Sequence, residues 1–260
     1  MTTGNDHLLA RDLAAAAGER LLELRAQGGE PDLLRKAGDR LSHEFLNAQL
    51  AAWRPGDVVL SEEGADDPAR LAASRVWIVD PLDGTREFGE PGRTDWAVHV
   101  ALWERSDVGD GGDLAAGAVA LPARGQVLST ASTLSPVSGR GGDGSGRMRI
   151  VVSRTRAPRF VQNISDLIDV ELVPLGSAGA KVAAVVCGEA DAYVHAGGFY
   201  EWDTAAPVAV ARAAGCHASR IDGSPLAYNQ ANLLMPDILV CRPALAAALL
   251  QAIREVTNAS

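Results

Sequence analysis

Asp80 and Asp83 close an apolar run from Arg75 to Val79, with Pro81 and Leu82 between them and Gly84-Thr85 directly after. Proline restricts the backbone and glycine frees it, so the turn is tight and the two carboxylates converge. Neighbouring carboxylates raise each other's pKa unless a cation lies between them. Hard divalent cations want such oxygens, and magnesium commonly takes one or two carboxylates with water and a substrate phosphate. An isolated Asp-x-x-Asp also reads as a capped turn with surface acids. Gly84 and Thr85 open onto Arg86-Glu87-Phe88, a first helical turn whose free amides would meet an anion. The Thr85 hydroxyl either holds a water or caps that turn. Glu62, in Ser61-Glu62-Glu63, ends a neighbouring strand and offers another carboxylate. Asp203 either caps a helix or completes a metal site, and Asp39 reads as a first-turn acid favourable to a helix dipole.

The elements that must hold these residues follow from apolar spacing. Leu8, Leu9, Leu13, Ala16, Leu21 and Leu24 recur with helical period and Gly28-Gly29 stops the run. A second helix is expected to begin near Asp39, a short strand at Val58 to Leu60, and an N-cap with first-position proline at Asp67-Pro68. Short strands at Arg75 to Val79, Asp95 to Trp103, Ala115 to Leu121 and Gln126 to Ala131 suggest an antiparallel sheet. Ser135 to Arg147 is rich in Gly and Ser and reads as a flexible boundary. Beyond it strand and helix alternate: Met148 to Ser153, Pro158 to Ile168, Val170 to Val173, Ala178 to Cys187, Ala190 to His195 and Asp203 to Ala214. A last strand, Ile238 to Cys241, precedes a helix near Pro243 to Val256, which makes this half layered α/β.

Ser61-Glu62-Glu63, Asp80 through Thr85, Gly176-Ser177-Ala178 and Trp202-Asp203-Thr204-Ala205-Ala206 stand in the order used by the inositol monophosphatase-like superfamily. The chain resembles that family from its first helix to Tyr228-Asn229. Inositol monophosphatases, fructose-1,6-bisphosphatases and 3′(2′),5′-bisphosphate nucleotidases belong to it. The resemblance implies an α+β fold, a layered α-β-α-β-α sandwich, and one phosphatase unit over 1–260. An α+β half at about 1–134 and an α/β half at about 148–260 would be joined by the Gly/Ser-rich loop. It also implies magnesium, two to three ions. Glu62, Asp80 and the carbonyl of Leu82 would hold the first, Asp80, Asp83 and Asp203 the second, with a weaker third near Glu62. Asp39 would orient or deprotonate the attacking water together with Thr85, hydrolysing the ester directly with no phosphoenzyme.

Thr85-Arg86-Glu87-Phe88, Gly176 through Lys181, Asp191-Ala192-Tyr193 and Pro225 through Asn229 are most similar to the bisphosphate nucleotidase branch. That implies removal of the 3′-phosphate of 3′-phosphoadenosine 5′-phosphate to give AMP, a step of sulfate assimilation. Inositol 1-phosphate and fructose 1,6-bisphosphate are alternative substrates, and a non-catalytic metal-binding relative is the remaining reading. A second phosphate wants cations. Arg86, Arg154 and Lys181 are the candidates, each equally readable as a solvated surface charge, and Gly84, Ser177 and Glu201 complete the expected contacts. Lithium inhibition and a homodimer are further implications of the resemblance.

A net charge of −9 argues against a nucleic-acid partner, which requires a concentrated basic face. It also repels anionic substrates unless bound cations reverse the local sign. The three cysteines, Cys187, Cys216 and Cys241, have no metal-ligand spacing. With no basic-then-apolar leader and no apolar run of the ~20 residues a bilayer requires, a cytoplasmic protein is expected. The loop at 139–146 lacks a Lys-Ser/Thr ending, which excludes a nucleotide P-loop. Aromatic residues make up only 5% of the chain, so Ala and Gly must let elements pack closely.

Overall fold

A computed structural model of the chain describes residues 4–107, 111–132, 147–155, 157 and 159–258. All of the Gly/Ser-rich loop except Arg147 lies outside them. Helix α1 (Gly4–Ala26) ends just before Gly28, whose φ of 69° no longer fits a right-handed helix. Helix α2 (Pro31–Trp53) begins at Pro31, not near Asp39. The Glu30 carboxylate accepts from Leu33 N at 2.9 Å and proline supplies a pre-set φ. Gly38 lies inside α2 for a packing reason: a Cβ there would sit 2.8 Å from Phe88 Cε1 and 3.0 Å from Leu82 Cδ2. Asp39 is therefore an interior helix residue rather than a first-turn acid.

The first sheet comprises β1 (Val58–Ser61), β2 (Arg75–Asp83), β3 (Ala97–Arg105), β4 (Gly112–Leu121) and β5 (Gln126–Ser129), in that spatial order. β1 and β2 are parallel and the rest antiparallel. The Asp67 carboxylate caps a 3-10 turn, Pro68–Leu71, between β1 and β2. Helix α3 (Thr85–Gly89) follows β2. The second sheet is built from β6 (Met148–Ser153), β7 (Val170–Leu175), β8 (Ala192–Tyr200), β9 (His217–Ser219) and β10 (Leu234–Cys241) in the order β7-β6-β8-β10-β9. Its helices are α4 (Arg159–Leu167), α5 (Ala178–Val186), α6 (Glu201–Ala213) and α7 (Ala246–Asn258).

Three hydrophobic clusters order these elements into layers. One joins α1 and α2 to a face of the first sheet. The second holds the other face, α5, α6 and the near face of the second sheet. The third joins the far face to α4 and α7. The result is the α-β-α-β-α sandwich. Small residues permit the central spacing: a Cβ at Gly117 on β4 would stand 2.6 Å from the Ala209 Cβ on α6. Every residue of α5 is buried. Close stacking places the ends of β2, α5 and α6 around one opening.

Candidate active site

In a regular strand, residues three apart face opposite sides. Asp80 and Asp83 escape this because β2 carries one extra residue against β3: Asp80 pairs with His99, and Asp83 already with Ala97. A bulge of this kind re-aims side chains, and both carboxylates turn to the same cavity of about 540 Å³. Glu62 arrives from the residue after β1, Asp203 from the first turn of α6, and the Leu82 carbonyl from between the two aspartates. Gly84 adopts φ 83°, and a Cβ would lie 3.2 Å from the Asp95 carbonyl oxygen, so glycine is required at this turn.

Most of the expected site residues come together. Glu62, Asp80, Leu82, Asp83, Gly84 and Thr85 line the cavity, as do Arg86, Arg154, Ser177, Lys181 and Asp203. Asp39 lies behind this lining, its Oδ1 3.3 Å from Thr85 Oγ1, which also stands 3.1 Å from the Leu82 carbonyl. Asp203 keeps its capping role too, its Oδ2 accepting from Tyr200 N at 2.7 Å.

Glu201 is the exception. It lies outside the cavity, and its two carboxylate oxygens accept from the amides of Asn229 and Gln230 at 2.6 and 2.7 Å. Burial pushes it up to about 7, and its contacts tie the 229–230 segment to α6 rather than meeting substrate. Three residues inside the lining also differ from expectation. Lys181 is buried, with Nζ donating to the carbonyls of Gly176 and Ser177 at 2.6 and 2.8 Å. It is not a solvated surface charge: two backbone carbonyls hold its ammonium, and burial lowers it to about 8. Arg154 donates to Glu87 Oε1 at 2.7 Å and Glu90 Oε1 at 2.9 Å, so two carboxylates already hold it. Ser177 donates to Asp83 Oδ2 at 2.5 Å while its oxygen accepts from Ala180 N, capping α5. Its φ of 33° makes that double contact possible.

His99 was not anticipated. It is fully buried, with Nδ1 donating to the Trp202 carbonyl at 3.2 Å and Nε2 3.2 Å from Asp83 Oδ2. The signal lay in β3, where a lone histidine shares the face of Ala97, Ala101 and Trp103, all of them in the central core. Asp80, Asp83 and His99 bring their ligating atoms within 4.8 Å of one another.

The acids are electrostatically uneven. Burial, then the charges of Glu62, Asp83 and Asp203, raise Asp80 well above the ordinary carboxylate range. Burial and then Asp203 push Glu62 up to about 7, with the charges of Asp83 and Glu63 adding to the rise. Burial also acts on Asp83, but His99, Lys181 and Ser177 outweigh it and hold the group below its usual value.

The model of the inositol monophosphatase family matches residues 8–258. The chain belongs to the inositol monophosphatase family. Within the family, the 3′-phosphoadenosine 5′-phosphate phosphatase of Mycobacterium leprae is 54% identical over 256 residues, 96% of this chain and 94% of that one. The 3′(2′),5′-bisphosphate nucleotidase CysQ of Escherichia coli is 30% identical over 234 residues, covering 84% of this chain and 91% of the relative. Among solved structures, CysQ from Bacteroides thetaiotaomicron matches with a TM-score of 0.74 and 28% identity, covering 92% of this chain and 97% of that chain.

Inositol monophosphatase family members are metal-dependent, and the residues present here fit a cation. Glu62, Asp80, Asp83 and Asp203 face one cavity, and burial together with their mutual charge raises Glu62 and Asp80, which marks a place where positive charge is wanted. The carboxylates and the Leu82 carbonyl offer hard oxygen donors, the kind that hard cations take.

Proposed function

We propose that the chain is a magnesium-dependent phosphomonoesterase that hydrolyses 3′-phosphoadenosine 5′-phosphate to AMP and phosphate. The observation that carries the chemistry is the convergence of Glu62, Asp80, Asp83 and Asp203 on one cavity. These acids with the Leu82 carbonyl would hold two to three magnesium ions. Bound there, the ions would supply Lewis-acid stabilisation of the phosphate and acidify the attacking water.

The chain's own groups manage the proton. Asp39 is pushed up to about 6, by burial first and the charge of Glu63 second, so it is ionised at neutral pH yet basic enough to accept a proton. A water held by Thr85 Oγ1 passes its proton through that hydroxyl to Asp39 Oδ1 as its oxygen attacks phosphorus. The bond from phosphorus to the 3′-oxygen breaks, the departing oxygen is protonated from solvent, and one water is consumed per phosphate released.

Identity of 54% to a phosphatase named for this nucleotide supports the substrate. The cavity supports it as well. His195 and Phe199, stacked with ring centroids 4.2 Å apart, give the cavity an aromatic wall for a purine. Arg86, exposed at the rim, is the cation proposed for the second phosphate, since Arg154 and Lys181 already donate to protein partners. The cavity takes Glu62, Asp80 and Asp83 from the first half and Ser177 and Asp203 from the second, which supports reading the two halves as one unit. The three cysteines carry no disulfide, and no helix among the described residues is long and apolar enough to cross a membrane; both fit the cytoplasm. The homodimer and lithium inhibition remain part of the proposal by family resemblance.

Phosphate release measured in parallel on 3′-phosphoadenosine 5′-phosphate, inositol 1-phosphate and fructose 1,6-bisphosphate tests the reading. The nucleotide is expected to give the highest kcat/KM, and chelation of magnesium to stop release from all three. A preference for inositol 1-phosphate would overturn the substrate assignment.

A further inference from the structure

We infer that His99 is a positioning residue for the cation site, fixing Asp83 so that one carboxylate oxygen is left for the metal. The inference rests on the phosphatase reading above. Among the described residues, the hydrogen bonds to Asp83 fall on Oδ2, which accepts from Ser177 Oγ at 2.5 Å and Gly179 N at 2.8 Å. His99 Nε2 stands 3.2 Å from the same atom and packs against it without a hydrogen bond. With Oδ2 so surrounded, the carboxylate cannot rotate without losing several contacts at once. Oδ1 is then held toward the cavity.

The other ring nitrogen extends the reach of the device. His99 Nδ1 donates to the carbonyl of Trp202, the residue directly before Asp203. His99 also pairs in register with Asp80 across β2 and β3. One imidazole therefore touches all three segments that bring Asp80, Asp83 and Asp203 together. Its Nε2 side is closed by α5, since a Cβ on Gly179 would stand only 2.2 Å away. That crowding suits a residue that orients ligands better than one that coordinates the ion itself. Groups that orient ligands in this way typically change metal affinity or activity by ~10–100-fold when removed.

The test is calorimetric titration of magnesium into chelator-treated protein, for the wild type, His99→Leu and His99→Asn, with the thermal midpoint in chelator measured alongside. His99→Leu removes both polar contacts and is expected to weaken magnesium binding ~10–100-fold. His99→Asn, which keeps one donor, should recover part of the loss. A merely structural histidine would lower the thermal midpoint and leave the magnesium affinity of the folded protein unchanged. Affinities within twofold of wild type in the folded variants would overturn the inference, and if His99→Leu fails to fold, His99→Asn alone decides by the same criterion. A wild type that neither binds magnesium nor releases phosphate would instead overturn the reading on which the inference stands.

Discussion

A catalytic carboxylate must be ionised when the reaction starts and still hold a proton well when it ends. On the proposed reading Asp39 meets both demands: burial and Glu63 push it up to about 6, and the Thr85 hydroxyl connects it to the cavity. Replacement by Asn keeps the shape and removes the base. Asp39→Asn is therefore expected to lower kcat by ~10²–10⁴ with KM little changed, the range for loss of a general base. It should also abolish the rise in kcat with pH that is expected for the wild type near pH 6. A variant that keeps that limb of the pH profile would remove Asp39 from the proton path. Type and spacing alone left Asp-x-x-Asp readable as a capped turn and Asp39 as a first-turn acid. It was the order of the motifs, through the family resemblance, that pointed Glu62, Asp80, Asp83 and Asp203 to one place, and all four line one cavity. Ser177 and Lys181 were less legible. Whether their polar atoms meet a ligand or the backbone depends on the turn at 176–178, where φ of Ser177 is positive. His99 gave only the faint sign of a polar group on an apolar strand face.

At the scale of elements, close packing decides where the acids stand. Gly38 lets α2 approach β2 and α3, and the next residue is Asp39, whose partner Thr85 begins α3. Gly38→Val should drive a side chain into Phe88 and Leu82, costing about 1–3 kcal/mol as overpacking does. It should also lower kcat by separating Asp39 from Thr85. Denaturant unfolding and steady-state rates on one preparation check both, and loss of stability with full activity would contradict the coupling. The same glycine explains why the start of α2 was misplaced in the sequence, since glycine inside a helix reads as a break. β8 was read short because Gly197 and Gly198 take positive φ within it. In β10, Pro236 sits where the pairing with β8 shifts between Met235 and Asp237, a bulge that tolerates proline. Elements with uninterrupted apolar periodicity, such as α1 and β6, were legible nearly to their ends.

For the whole molecule, the central claim is that folding forces several carboxylates into one place that only a cation relieves. Asp80 is raised well above the ordinary range, Glu62 to about 7, Asp39 to about 6 and Glu201 to about 7. Unfolded, such groups titrate near ~4. Between these values the native state binds more protons than the unfolded one, so stability is lost as pH rises through the window. Asp83, held low, acts below that window, and Lys181, lowered to about 8, acts above it. On the proposed reading magnesium would bind the native state, and bind best once the acids are ionised. The deciding measurement is thermal unfolding of chelator-treated protein at pH 5 and pH 7.5, with and without saturating magnesium. The metal-free midpoint is expected to be lower at pH 7.5, and magnesium should raise it there by about 5 °C or more while acting weakly at pH 5. A metal-free midpoint that does not fall between the two pH values, together with no response to magnesium at pH 7.5, would contradict the account.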